Sequence, residues 1–398
     1  MNNRISDKKL SHLFGIGVVL AFILPHTNIG FLLINPLLCL LYKYVSGYGV
    51  KYSKAALVVV PLLLTLLINF AQDVSLKSVV MAITMIMYFY TYPMIWNVRL
   101  PQQYLFFCLF FILMSQLAYI FQIPYMANIL DTMYPISQDD VYGTAYIQDN
   151  ASLETIFDYR MGGLYRNANL CAMSLSILLA IYIVLNAEKP IKKNLLFVSL
   201  CCFGIIITGS RTGFAVASAI LILYAYQDKR VSEFWRVAAS LIMVIAIIYI
   251  MSTGSSEYRA LNVGSGLNDS ASMKFRTFLY YITNEDSVLK LFFGYIDATR
   301  FRSVSTLMQY FDSDYGNIIF CYGIIGFLAI IYFFATLFFK MDKIGKLYFV
   351  VLLWMVSAAI ISSYRHLFIF MMLLPIVSQL HSGNRKNVIP FHPTTNRH

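Results

Sequence analysis

Arg160 and Arg166 flank a Gly-Gly turn in the stretch DYRMGGLYRNAN, and Asn167 or Asn169 can cap the helix that follows. Two guanidinium groups beside the unpaired N–H groups of a helix N-terminus make a site for an anion. The plainer use of Arg166 is to anchor a helix at an interface. Arg211, in ITGSRTGFAV, stands between two apolar runs with almost no loop around it. An arginine at bilayer depth costs about 2.5–3.5 kcal/mol on insertion scales, so such a residue normally faces a cavity and a partner. Snorkelling of Arg211 to the interface is the alternative. Arg276 lies in an aromatic amphipathic stretch, MKFRTFLYYI, suited to resting on a membrane surface. Arg300 and Arg302 follow in LFFGYIDATRFR.

Acids stand close to these arginines in the sequence. Asp312 and Asp314, in YFDSDYGNIIFCYGIIGFL, end a polar segment where a helix begins. An Asp at that position commonly caps the helix. Facing a cluster of arginines it would stay ionised and could serve as a general base, given proximity and a dry pocket. The DSD triplet also suits Mg²⁺ or Mn²⁺ by ligand type. Three residues fall short of a coordination sphere, and no metal or other cofactor is expected. His366, beside Arg365, is a secondary candidate, or simply a polar helix-end residue. The chain carries no P-loop, HExxH, GxSxG or His-rich metal pattern.

The elements that must position these residues follow from composition. Of the 398 residues, 59% are hydrophobic and 12% charged, against roughly 45–50% and 25% in a soluble domain. So few charges cannot cover a water-facing surface of this size, which excludes a soluble enzyme, a disordered chain and a secreted disulfide scaffold. An all-α integral membrane protein remains. About twelve spans are expected: 10–25, 29–45, 55–71, 77–95, 104–122, 167–187, 193–209, 212–227, 236–253, 315–339, 345–361 and 364–380. The net charge of +11 comes from Lys and Arg in short clusters between apolar runs, the pattern of cytoplasmic helix anchors and not of a nucleic-acid-binding surface. With both termini in the cytoplasm, only Lys77, Arg211 and Arg365 fall in short outer connections. The six cysteines lie in or at the ends of apolar segments without any CxxC, as small buried apolar residues would.

The organisation expected is therefore helices one to five over 1–122, an outer loop over 123–166, and helices six to nine over 167–253. A second outer loop over 254–314, helices ten to twelve over 315–380 and a cytoplasmic tail over 381–398 complete it. Loops as long as these two tend to be functional. The first is acidic until it ends on Arg160 and Arg166, and the second mixes both signs. Tyrosines such as Tyr165, Tyr295 and Tyr315 could stack on sugar rings, but an interfacial belt is the plainer account of most of them.

Taken in order, RMGGLYRNAN at 160–169, GSRTG at 209–213, FRTFLYY, LFFGYI and DSDYGNIIFCYGIIGFL resemble the O-antigen polymerase and ligase superfamily of bacterial inner membranes. The resemblance covers most of the chain and implies about twelve helices with two long periplasmic loops. It implies a glycosyltransferase at the periplasmic face, with no metal and no nucleotide sugar. Donor and acceptor would both be oligosaccharides on undecaprenyl diphosphate held in the lipid bilayer, with room for a chain-length regulator as partner. Arg160 or Arg166, Arg211 and Arg276 match the arginines that hold the diphosphate, and Asp314 stands where ligases place a His. That difference favours a polymerase over a ligase that transfers glycan to lipid A-core. The regularly spaced Arg…Gly motifs of some polymerases are absent.

The chemistry agrees with that implication. A diphosphate leaving group gains negative charge as the anomeric C–O bond breaks, and converging arginines would stabilise it. Asp314 is the expected base for the acceptor hydroxyl. A lipid-linked oligosaccharide flippase is the rival from another class. Transporters concentrate polar groups near the midplane on broken helices, whereas here mid-helix positions are almost free of charge and the acids and arginines collect at the outer helix ends and in the two loops.

Overall fold

The computed structural model describes residues 7–24, 56–70, 76–91, 100–121, 123–133, 162–165, 167–187, 191–227, 233, 237, 281–283, 287–296, 314–356, 360 and 364–381. Among the described residues the fold is helical, with no strands. In chain order the helices are α1 (Asp7–Ile23), α2 (Ala56–Phe70), α3 (Leu76–Thr91), α4 (Gln102–Ile120), α5 (Pro124–Met133), α6 (Ala168–Asn186) and α7 (Ile191–Ile207). There follow α8 (Arg211–Gln227), α9 (Val288–Phe293), α10 (Asp314–Phe338), α11 (Lys343–Phe349) and α12 (Tyr364–His381). Apart from the one at 345–361, the helical spans expected from the sequence coincide with these to within a few residues wherever they are described. The span expected at 29–45 lies outside the described residues, as does all of 236–253 except residue 237.

Among the described residues, α4, α6 and α10 are long and apolar enough to cross a membrane, and several shorter apolar helices pack with them. The described residues are thus helical and of membrane-protein character. Their outer surface supports this. Along α2, Leu57, Val60, Leu64 and Leu67 are exposed while Val58, Leu62, Thr65 and Asn69 are buried. Along α4, Phe106, Phe107, Phe110 and Phe111 are exposed. Apolar faces of that kind on several helices are disfavoured in water and stable against lipid.

Helix α6 is the centre of the bundle. Nearly every side chain from Ala168 to Asn186 is buried, as expected for a helix that is apolar on all sides. It packs against α4, α7, α8, α11 and α12. Around this core, α1 pairs with α4 and α12, while α3 joins α12 to α2, which in turn packs on α10. The close approach of α1 and α4 needs Gly15: a Cβ there would meet the ring of Tyr104 at 2.2 Å. Free Cys108, Cys171, Cys201 and Cys321 are buried in the core, in keeping with their expected role as small apolar residues.

Three features were not legible in the sequence. Helix α5 lies inside the segment expected to be the first loop, with Tyr125, Ile129 and Met133 exposed. The span expected at 345–361 is an α-helix only to Phe349 and continues as a 3-10 helix over Val350–Val356. Finally, α10 is broken at Gly323, whose φ of +69° is left-handed. The break falls about 13 Å along the axis from Asp314, at about 1.5 Å per residue. There Tyr295 N–H donates to Phe320 O (2.8 Å) and Ile296 N–H to Cys321 O (2.8 Å). Carbonyls released by the broken helix are satisfied by the strap that follows α9, as an apolar setting demands. Helix α9 itself carries Lys290 in the interior, where its Nζ bonds Asn69 Oδ1 of α2 and lies 5.0 Å from the centre of the Tyr295 ring.

A Cβ at position 323 would lie 2.0 Å from Phe292 O and on a left-handed backbone. Gly323→Ala should therefore cost at least about 1–2 kcal/mol from the backbone conformation alone, seen as a lower melting temperature in detergent. Gly17→Ala, which meets only Met372 Cε at 3.7 Å, should melt at or above the parent temperature. Equal melting of the two variants would contradict the close packing at the break.

Candidate functional site

One end of the bundle gathers the N-termini of α6, α8 and α12 with the C-terminus of α1. The stretch after Gly162 is fixed first. Gly163 takes a φ of +54°, and a Cβ there would meet Ser115 Oγ at 2.5 Å, which explains a glycine at this turn. Leu164 N–H donates to Ser115 Oγ (2.9 Å), and Ser115 in turn donates to Ile112 O (2.6 Å). The chain is thereby pinned to α4 before it enters α6.

Asn167 then caps α6, as the sequence allowed: its Oδ1 accepts from Asn169 N–H (2.9 Å) and Leu170 N–H (3.4 Å). The GSRTG stretch forms a matching start for α8. Gly213 N–H donates to Ser210 Oγ (3.2 Å), and Ser210 N–H to Thr208 Oγ1 (3.2 Å). The two starts are joined directly, because Ser210 Oγ donates to Asn169 Oδ1 at 2.9 Å. Gly213 lets α8 lie close on α6, since a Cβ there would come 2.7 Å from Ala172 Cβ. Two helix N-termini with partly positive N–H groups thus sit side by side. Covalent order puts Arg166 immediately before the cap of α6 and makes Arg211 the first residue of α8.

Tyr165 belongs to neither a belt nor an exposed stacking platform. It is buried, its hydroxyl donates to Phe22 O (2.9 Å), and the Arg365 guanidinium carbon lies 4.2 Å from its ring centre. Burial pushes the Tyr165 phenol above its usual range, and the nearby Arg365 offsets only part of that, so the phenol keeps its proton and donates. Arg365 is 2% exposed; its Nε donates to Ala21 O (2.9 Å) and a terminal nitrogen to Phe22 O. It therefore binds the last-turn carbonyls of α1, the partly negative end of that helix. Next to it, His366 is buried with Nε2 2.9 Å from Ser174 Oγ and 3.2 Å from Leu170 O, both in the first turns of α6.

Asp314 opens α10 and is fully buried. Its carboxylate accepts the N–H of Ile360, which ties α10 to the segment between the 3-10 helix and α12. Among the other expected site residues, Arg160, Arg166, Arg276, Arg300, Arg302 and Asp312 lie outside the described residues, as does the side chain of Arg211. Arg365 and Ser174 were missed as parts of this end of the bundle. The only sequence signal was a basic residue in a short outer turn, because the carbonyls that hold Arg365 lie 343 residues and more away in the chain.

No family model matches the chain, and no curated protein matches it.

The join between α6 and α8 has a measurable consequence. Ser210→Ala removes both the cap on α8 and the tie to Asn169, and should cost about 1 kcal/mol or slightly more. Hydrogen exchange should speed up at the first turn of α8 and stay unchanged at α12. Unchanged exchange at α8 would mean that Ser210 holds nothing there.

Proposed function

We propose that the chain is an O-antigen polymerase. In this reading it is a multi-pass glycosyltransferase of the bacterial inner membrane, with about twelve spans, both termini in the cytoplasm and its reaction at the periplasmic face. It would join oligosaccharide repeat units carried on undecaprenyl diphosphate. The observation that supports this most is the hydrogen bond from Ser210 to Asn169, which sets two helix N-termini together. Arg166 adjoins one of them in sequence and Arg211 begins the other. Helix N-termini and guanidinium groups favour the same ligand, a diphosphate.

In the proposed reaction, Arg166 and Arg211, aided by Arg160 and Arg276, grip the donor diphosphate. They stabilise the charge that grows on it as the glycosidic C–O bond breaks. Asp314 takes the proton of the acceptor hydroxyl. Its burial supplies the dry setting a carboxylate base needs, and its bond to Ile360 N–H holds its orientation. Arg300, Arg302, Asp312 and His366 stand as secondary candidates. No metal or cofactor is assigned a role.

One observation favours a second reading. A helix broken at Gly323 beside the buried Lys290–Asn69 pair is a feature of transporters, whose sites lie on discontinuous helices. A lipid-linked oligosaccharide flippase is therefore the alternative. The ligase reading has no such support here.

A strain lacking the protein separates these readings. Loss of a polymerase should leave single repeat units on lipopolysaccharide, whereas loss of a flippase or ligase should leave none. Arg211→Ala should abolish chain elongation with normal protein level in the membrane, and full-length polymer from that mutant would remove Arg211 from the mechanism. Asp314→Asn keeps an acceptor for Ile360 N–H but loses the base, so elongation should fall by about a hundredfold or more. Near-normal elongation would leave Asp314 a purely structural tie.

A further inference from the structure

We infer that α5 lies along the membrane surface at which α4 ends, and that its partner along one stripe is the lipid itself. The inference stands apart from the transferase reading. Helix α4 is long and apolar enough to span. Its exposed Phe110, half-buried Met114 and Leu117, and exposed Phe121 follow the spacing of a single helix face. Ile123 and Tyr125 are exposed in turn and carry this apolar surface around the corner into α5. Backbone bonds fix the corner. Phe121 N–H donates to Leu117 O (2.9 Å), Ile123 N–H to Ala118 O (2.9 Å) and Ala127 N–H to Ile123 O (2.9 Å). The lipid-facing surface of α4 therefore runs on into α5.

The sequence of α5, PYMANILDTM, gives the helix three different faces. At about 100° per residue, Tyr125, Ile129 and Met133 form one stripe, and all three are exposed. Met126, Ala127 and Leu130 form the next and are half-buried, with Leu130 against the core of the bundle. Asn128 and Thr132 form the third and are exposed, and Thr132 Oγ1 donates to Asn128 O at 2.8 Å. The ten residues of α5 reach only about 15 Å, half of a hydrocarbon core about 30 Å thick, so α5 does not cross it. Sunk wholly into hydrocarbon, Asn128 and Thr132 would lose their water. Standing clear of the membrane, the apolar stripe would face water. A helix set along the boundary, with its half-buried face toward the bundle, suits all three faces at once. Tyr125 has the amphipathic ring that fits such a depth. Continuity of the stripe with Phe121 and Ile123 favours lipid over a protein partner as its cover.

The test is nitroxide labelling of the full-length protein in nanodiscs of phosphatidylethanolamine and phosphatidylglycerol. Tyr125→Cys, Ile129→Cys, Met133→Cys, Asn128→Cys and Thr132→Cys are labelled one at a time. All five side chains are exposed, so the labels disturb no packing. The parent chain, whose described cysteines are buried or half-buried, sets the background. Power saturation then compares collisions with oxygen, which concentrates in lipid, against collisions with a water-soluble nickel chelate. At positions 125, 129 and 133 the ratio of oxygen to nickel contact should be several times that at 128 and 132. Nickel contact at all five positions would mean that the stripe faces water. Shielding of 125, 129 and 133 from both agents would mean that a protein surface or a second copy covers them. Either result would overturn the inference, as would oxygen contact at all five, which would sink the whole helix in hydrocarbon.

Discussion

In a bundle surrounded by lipid, every backbone N–H and C=O must find its partner inside the protein. That requirement shapes the end of the bundle where α6 and α8 begin. Each helix leaves its first N–H groups without intrahelical acceptors. Asn167 and Ser210 supply acceptors by side chain, and a single hydrogen bond between Ser210 and Asn169 couples the two caps. The same requirement acts at the end of α1, where Arg365 takes up the carbonyls of Ala21 and Phe22. It acts once more at Gly323, where the strap after α9 satisfies the carbonyls of the broken α10. Among the described residues, the polar side chains of Ser210, Arg365 and Lys290 are buried where helices start, stop or break.

The opposite end shows the contrast. There His381 Nδ1 lies 3.0 Å from Asp342 Oδ2 and its Nε2 3.2 Å from Val184 O, joining the ends of α6 and α12 to the turn before α11. Asp342 also caps α11 through Gly345 N–H (2.8 Å) and donates its own N–H to His381 O (2.8 Å). These contacts tie the C-terminal ends of α6 and α12 to the start of α11. At the other end the starts of α6 and α8 are joined, and Arg365 takes up the last-turn carbonyls of α1.

The helical character of the chain was readable because it depends on local composition. The run from Ala168 to Asn186 is apolar on all sides, and the structure makes it the buried centre. The cap at Asn167 was readable for the same reason, since the donors it serves are two and three residues away. Gly323 was not readable as a break, because a glycine in an apolar run reads equally well as a packing position. Lys290 looked like a loop lysine, as its partner Asn69 is 221 residues distant. Read locally, Arg365 is only an outer charge and Tyr165 only a member of an interfacial belt. Both depend on α1, which the chain reaches only by folding back on itself. Local rules give caps and helices; the long-range polar contacts that organise this site have no local signature.

The proposed function requires arginines from separate stretches of chain to converge beside the joined starts of α6 and α8 and hold a lipid diphosphate. An electron cryomicroscopy map of the protein in a lipid nanodisc with undecaprenyl diphosphate measures this directly. The account predicts diphosphate density between the N-termini of α6 and α8, within hydrogen-bonding distance of Arg166 and Arg211. Diphosphate density at the break in α10 instead, or arginine side chains turned away from one another toward lipid, would contradict it.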